Sequence, residues 1–404
     1  MKIGIFLEGS PKIGGGFFQS LKSSFLLLGI ESFKSNFELI ITDKETYSYL
    51  NKENFQNKLY KSNIFIKYFS ELFEIDLVKD LFFKLKIMHP FTKFLKENGY
   101  DLIIFLGPSM MSKYCGEVGF VTNIWDLDHK NNSQFPEHNK NFIFEKREKL
   151  IKEIIYRAFR IIVAHDSNKN ELINFYNVKN NNIVVQNFIP MLPSIYEKNI
   201  HNQNKYLKLF KDLDIPENKK IIFYPAQFWA HKNHKYIIDA LKILKENKDE
   251  RFFFVFCGAN KGNLKFIENL IKRNNLEKFI NIYNFITDDQ VISLYLNCNA
   301  IVMPTYCGPT NLPIYESFYF KKIIFYTKDL IPNDDINNRL IEIDISSPLD
   351  FCKKLEICFD ENKIEEINKN NFEYYKLVCN DKDFRVNYEK IIKDFIYLKS
   401  RWKN

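Results

Sequence analysis

The chain has 404 residues, 46% of them hydrophobic, which is enough for two packed domains and excludes wholesale disorder. Its net charge is +8 with the lysines dispersed, a pattern suited to phosphates or anionic lipid and too diffuse to argue for nucleic acid. Seven cysteines without a CxxC pair suggest neither a disulfide framework nor a zinc site, but reduced thiols in a cytoplasmic protein.

Met1-Lys2 runs straight into an apolar stretch too short for a signal core. No apolar run reaches the roughly 18 residues of a membrane helix. The expectation is a cytoplasmic chain, at most bound to the inner face of a membrane.

In chain order, Ile3–Leu7 reads as a buried strand, followed by Gly14-Gly15-Gly16 and a helix-like run over 17–28. Glycines between strand and helix let backbone approach a ligand, and a helix start favours anions; a tight turn without a ligand fits as well. No Lys-Ser/Thr follows, so this is not a P-loop. The GxGxxG spacing is absent too, which disfavours an NAD oxidoreductase.

Residues 37–41, 101–107, 119–124, 161–164 and 183–185 read as further strands, and 44–100 as mostly helical. After 119–124 stand Trp125-Asp126-Leu127-Asp128-His129-Lys130. Polar groups after a strand of an α/β sheet sit where ligands bind. Asp126 and His129 are therefore candidates for acid/base work or hydroxyl positioning, against an ordinary surface loop. Residues 139–159 read as one basic helix, packed on its sheet or laid on anionic lipid.

Composition changes near 191–216, which reads as a linker. A second series follows, with strands at 220–224, 251–256 and 280–283 and helices at 234–246, 263–273 and 288–296. Ala300-Ile301-Val302-Met303 is a buried strand. The short residues Cys307-Gly308-Pro309-Thr310-Asn311 then lead into a helix opened by Leu312-Pro313 and carrying Glu316, and 323–326 is the next strand. Strand, loop and helix start suit a phosphate, and Glu316 could accept from two vicinal ribose hydroxyls. Lys232, at a strand-to-helix loop, can act as a point charge on a diphosphate.

Alternating strands and helices predict an α/β fold of two Rossmann-like, doubly wound parallel-sheet domains with a ligand cleft between them. The expected division is 1–195, a linker at 196–216, a nucleotide-binding domain at 217–380, and a C-terminal helix over 381–404 returning to the first domain.

Whole blocks carry a resemblance. Phe223-Tyr224-Pro225-Ala226-Gln227-Phe228-Trp229-Ala230-His231-Lys232-Asn233-His234, Phe254-Val255-Phe256-Cys257-Gly258, Ile282 to Gln290 and Met303 to Glu316 resemble the group 1 (family 4) retaining glycosyltransferases of GT-B fold. The glycine run, His165-Asp166-Ser167 and 184–188 resemble signatures of its first half. The resemblance implies transfer of a sugar from a UDP- or GDP-linked donor to an acceptor hydroxyl, retaining configuration, without metal or cofactor. It implies that Lys232 touches the donor phosphates and Glu316 the ribose. Backbone at Pro309, Thr310, Asn311 and Leu312 meets sugar and diphosphate, Phe285 and Ile286 flank the base, and Gly15, Gly16, Gln227 and Gly258 complete the donor site. Lys232, Asp126 and His129 are the catalytic candidates. The implied acceptor is a lipid-linked or oligosaccharide chain in lipopolysaccharide, capsule or other surface-polysaccharide assembly, with peripheral contact to anionic membrane.

The chain departs from the family pattern at Gly308, where the first Glu of a Glu-x7-Glu motif would stand, and at Gln227, where Arg is frequent. Trp125-Asp126, with His129 nearby, occupies the place of a His-Asp pair. Two other readings share the fold: a nucleotide-sugar 2-epimerase, and a degenerate sugar- or nucleotide-binding partner protein.

Overall fold

The computed structural model describes residues 1–10, 15–50, 57–60, 69–308, 312–331 and 334–401. Gly14, Pro309, Thr310 and Asn311, all singled out from the sequence, lie outside these.

Thirteen strands are described, in two wholly parallel sheets. The first contains β1 (Ile3–Leu7), β2 (Phe37–Ile41), β3 (Asn57–Leu59), β4 (Leu102–Phe105), β5 (Gly119–Asn123), β6 (Arg160–Val163) and β7 (Ile183–Val185), in the order β3-β2-β1-β4-β5-β6-β7. The second contains β8 (Lys220–Pro225), β9 (Phe252–Cys257), β10 (Ile280–Tyr283), β11 (Ala300–Met303), β12 (Ile323–Thr327) and β13 (Ile341–Ile343), in the order β10-β9-β8-β11-β12-β13. Continuous apolar runs such as Ile3–Leu7 and Ala300–Met303 are buried at every residue, as a parallel sheet covered on both faces requires. In both sheets the order reverses beside the first strand, the switch point of a doubly wound topology.

The chain divides into two compact units. One comprises Met1–Trp125, Glu145–Phe188 and Asp381–Asn404; the other comprises Asp126–Phe144 and Ile189–Asn380. The first includes helix Asp381–Lys399, which buries Phe384, Tyr388, Ile391, Ile392 and Phe395. Phe395 packs on Phe159 at 5.2 Å and occupies the space a side chain on Gly119 would need.

Three sequence expectations differ from this structure. The linker over 196–216 is largely helical: Gln203–Lys211 buries Tyr206 and Phe210 in the second unit, and Ser293 donates to the Tyr206 carbonyl at 2.7 Å. Residues 126–144, expected in the first domain, fold with the second, where Glu137 bonds His231. The single helix over 139–159 is a 3₁₀ turn at Lys140–Phe142 and a helix at Ile143–Ile154. Asn141 and Phe142 take left-handed backbone there, which breaks the helical run.

Among the described residues no helix is long and apolar enough to cross a membrane. All seven cysteines are free and buried.

Candidate functional site

β8 ends at Pro225, and its continuation is held by backbone: Phe228 N–H donates to the Ala259 carbonyl at 3.0 Å and Trp229 N–H to Gln227 at 2.8 Å. The approach to β9 is close. A side-chain carbon on Gly258 would lie 2.3 Å from the Ala226 carbonyl oxygen, so glycine is required there. A 3₁₀ turn, Ala230–Lys232, and a left-handed Asn233 (φ 53°) then aim the chain into helix His234–Glu246. The buried Tyr224 hydroxyl donates to the Lys232 carbonyl at 2.6 Å, fixing that turn from below. His234 stacks on Phe228 at 4.5 Å, and burial lowers its pKa to about 3, so it is neutral packing.

Lys232 is partly exposed, yet closely enough surrounded that burial lowers its pKa. Asp128, Cys307, Asp126 and Glu137 oppose that shift. The sequence-chosen Asp126 is thus among the charges that act on Lys232, with three others the sequence reading did not select. Asp126 also shapes its own loop, its Oδ1 accepting the Asp128 N–H at 3.1 Å. His129 is fully buried, edge-on to Phe144 at 5.5 Å.

Glu137 joins the 126–144 segment to the Lys232 turn. Its Oε1 accepts the His231 N–H at 2.8 Å and also bonds the ring Nδ1. Burial alone would raise the Glu137 carboxyl, but these bonds outweigh it and hold the pKa at about 2. Burial lowers the His231 pKa, so at neutral pH a neutral ring donates to a carboxylate. The His231 carbonyl in turn accepts the Tyr306 N–H at 2.8 Å, which ties the turn to the loop after β11. Within that loop Thr305 donates to the Cys307 carbonyl at 2.9 Å, and Tyr326 donates to Gly308 at 3.1 Å.

Helix Leu312–Tyr319 follows, opened by Leu312, with Glu316 buried on it. Glu316 Oε2 accepts from the Tyr295 hydroxyl at 2.7 Å. Burial raises the Glu316 pKa to about 7; Tyr295 lowers it and Asp288 raises it further. A carboxyl poised near neutrality is suited to accept from hydroxyls of a ligand.

Gln227 Oε1 accepts the Trp229 indole N–H at 3.0 Å. Phe285 is 79% exposed, beside a half-buried Ile286, as a platform for a planar group would be. Gly15 and Gly16 belong to the first unit. Gly16 and Gly107 make room for the Trp125 ring, since a carbon added at either would lie 2.7 Å from it. Packing is thus one reason for that glycine.

Sequence reasoning missed Asp128, Glu137, His231, Tyr295 and Cys307. His231 and Asp128 adjoin chosen residues and were within reach. Nothing local marks Glu137, which stands 94 positions from His231.

Residues 206–346 match the family described as "Glycosyl transferases group 1". No curated protein matches the chain in sequence. Among solved structures, a glycosyltransferase from Rickettsia africae ESF-5 is similar with a TM-score of 0.71 at 16% identity, covering 98% of each chain. HepE of Anabaena, solved with UDP-glucose, gives 0.72 at 14% identity over 98% of this chain and 100% of its own. WaaG, a glycosyltransferase involved in lipopolysaccharide biosynthesis, gives 0.64 at 12% identity over 95% and 98%. At such identities the likeness shows the fold alone: the two parallel-sheet units match the GT-B fold of these structures.

Proposed function

We propose that this chain, which carries a group 1 glycosyltransferase domain over residues 206–346 on a GT-B fold, moves a sugar from a nucleotide-sugar donor to an acceptor hydroxyl with retention of configuration. The carrying observation is the buried Glu316, its pKa raised to about 7, on the helix that follows the loop bonded to the Lys232 turn. A ribose diol meets the first group and a diphosphate the second. HepE, solved with UDP-glucose, supports a donor of that class.

In this reading Lys232 stabilises charge on the departing diphosphate, so no metal is needed at the phosphates. The acceptor oxygen bonds the anomeric carbon from the face the phosphate leaves, the carbon–phosphate oxygen bond breaks, and the leaving phosphate takes the acceptor proton. Asp126 orients the acceptor hydroxyl; His129, which is buried, supports that loop. Gln227, Gly258, Phe285, Ile286 and Leu312 contribute to the donor side. The acceptor is a lipid-linked or oligosaccharide chain of surface polysaccharide, met at an anionic membrane surface.

Thermal melting with a panel of UDP- and GDP-sugars tests the donor, since a ligand bound only by the folded state raises the midpoint. We expect one nucleotide class to stabilise the protein and its sugar to appear on a lipid-linked acceptor. No stabilisation by any nucleotide sugar overturns the reading.

A further inference from the structure

Beneath the Lys232 turn the structure gathers a set of groups that sugar transfer does not use. His138, His231 and Cys307 each offer one ligand atom, and these atoms lie within 4.8 Å of one another. All three residues belong to the second unit, from three separate stretches: the 136–139 turn, the loop after β8 and the loop after β11. His138 and Cys307 are buried, and their Nε2 and Sγ atoms are 3.7 Å apart. Tetrahedral zinc, with Zn–N near ~2.0 Å and Zn–S near ~2.3 Å, places such a pair roughly 3.6 Å apart. The two imidazole rings lie nearly parallel, with centroids 5.8 Å apart.

A second feature points the same way. Glu137 holds His231 through its ring Nδ1, leaving Nε2 as the ligand nitrogen. Metal-bound histidines commonly make this outer contact, which fixes the tautomer and the ring plane. Charge is also suitable. The Glu137 carboxylate, bonded to His231, supplies negative charge beside the ligand set.

We propose that His138, His231 and Cys307 form a binding site for a borderline-soft divalent cation of the zinc class. The ion takes two imidazole nitrogens and the Cys307 thiolate, releases the thiol proton to solvent on binding, and leaves a fourth position for water. Nitrogen and sulfur donors select zinc-like ions over magnesium or calcium. Its effect is to clamp the 126–144 segment and the β11 loop onto the Lys232 turn. The proposal is independent of the transferase reading.

The test uses the full chain, stripped with a chelator and titrated with Co²⁺. A near-ultraviolet thiolate-to-cobalt band and tetrahedral visible bands should saturate at one equivalent and be displaced by Zn²⁺. Cys307→Ser should abolish the thiolate band, and His138→Ala should weaken Zn²⁺ affinity at least tenfold in competition with a colorimetric chelator. Absence of a thiolate band in the unmodified protein, or its persistence in Cys307→Ser, overturns the proposal. Should His138→Ala fail to fold, the unmodified protein's cobalt spectrum and Cys307→Ser decide the matter.

Discussion

Tyr295 donates its phenolic hydrogen to Glu316 Oε2 at 2.7 Å, and both side chains are buried. Because burial lifts the Glu316 pKa from the usual 4.5 to about 7, ionising this group opposes folding. The folded state binds the proton more tightly than the unfolded chain. The group's contribution is therefore greatest below about pH 4.5, falls as pH rises through about 7, and stays low above that. The difference is about 3 kcal/mol. Glu316→Gln should flatten this limb and raise the urea midpoint at pH 8 relative to the parent, with little change at pH 4.5. It should also weaken nucleotide-sugar binding, because an amide cannot accept both ribose hydroxyls. A pH-stability profile unchanged by the substitution would contradict the assignment.

Lys232 is the cation at the turn that Tyr224 and Glu137 fix. Lys232→Ala should lower turnover on the order of a hundredfold, by analogy with loss of another charge-stabilising group. Steady-state rates with the donor found by melting check this, and unchanged turnover refutes the role given to the ammonium. The fold should hold, since Tyr224 bonds the Lys232 carbonyl rather than its side chain.

Two glycines make opposite forecasts. At Gly258 an added carbon meets the Ala226 carbonyl oxygen at 2.3 Å and the Gln227 nitrogen at 2.6 Å, both backbone atoms that cannot step aside. Gly258→Ala should cost about 1–3 kcal/mol and lower the melting temperature. At Gly15 nothing among the described residues lies within 4 Å, so Gly15→Ala should change stability by less than about 1 kcal/mol. Calorimetry on both variants separates a packing requirement from conformational tolerance.

In the first unit Lys113 is buried between Glu74 and Glu153, 2.9 Å from the latter. Burial alone would raise the Glu74 carboxyl, but bonds from Lys113, Lys149 and Tyr114 prevail and bring its pKa to about 2. A depressed carboxyl stabilises above its unfolded pKa near 4.5, and that contribution disappears as pH falls through about 2. Glu74→Gln should cost about 2 kcal/mol at pH 7, where it leaves Lys113 one acceptor fewer. The cost should vanish near pH 2. Urea midpoints at pH 7 and in acid give the comparison, and a pH-independent cost would show that charge is not the cause.

The sequence by itself determined the alternation of strands and helices, because continuous apolar runs bounded by turn residues leave little choice but buried parallel strands. It also placed Lys232 at a strand-to-helix loop and Glu316 on the helix that follows another, since strand ends and helix starts are local signals. Boundaries were legible for the same reason: β2, β7, β10 and β11 lie where composition puts them. Tertiary structure alone decided the rest. That 126–144 folds with the second unit, that Glu137 grips His231 across 94 positions, and that Cys307 meets His138 across 169 are through-space relations with no local trace. The poise of Glu316 belongs with these, for a carboxyl's pKa is set by the groups and burial around it, and those exist only once the chain has packed.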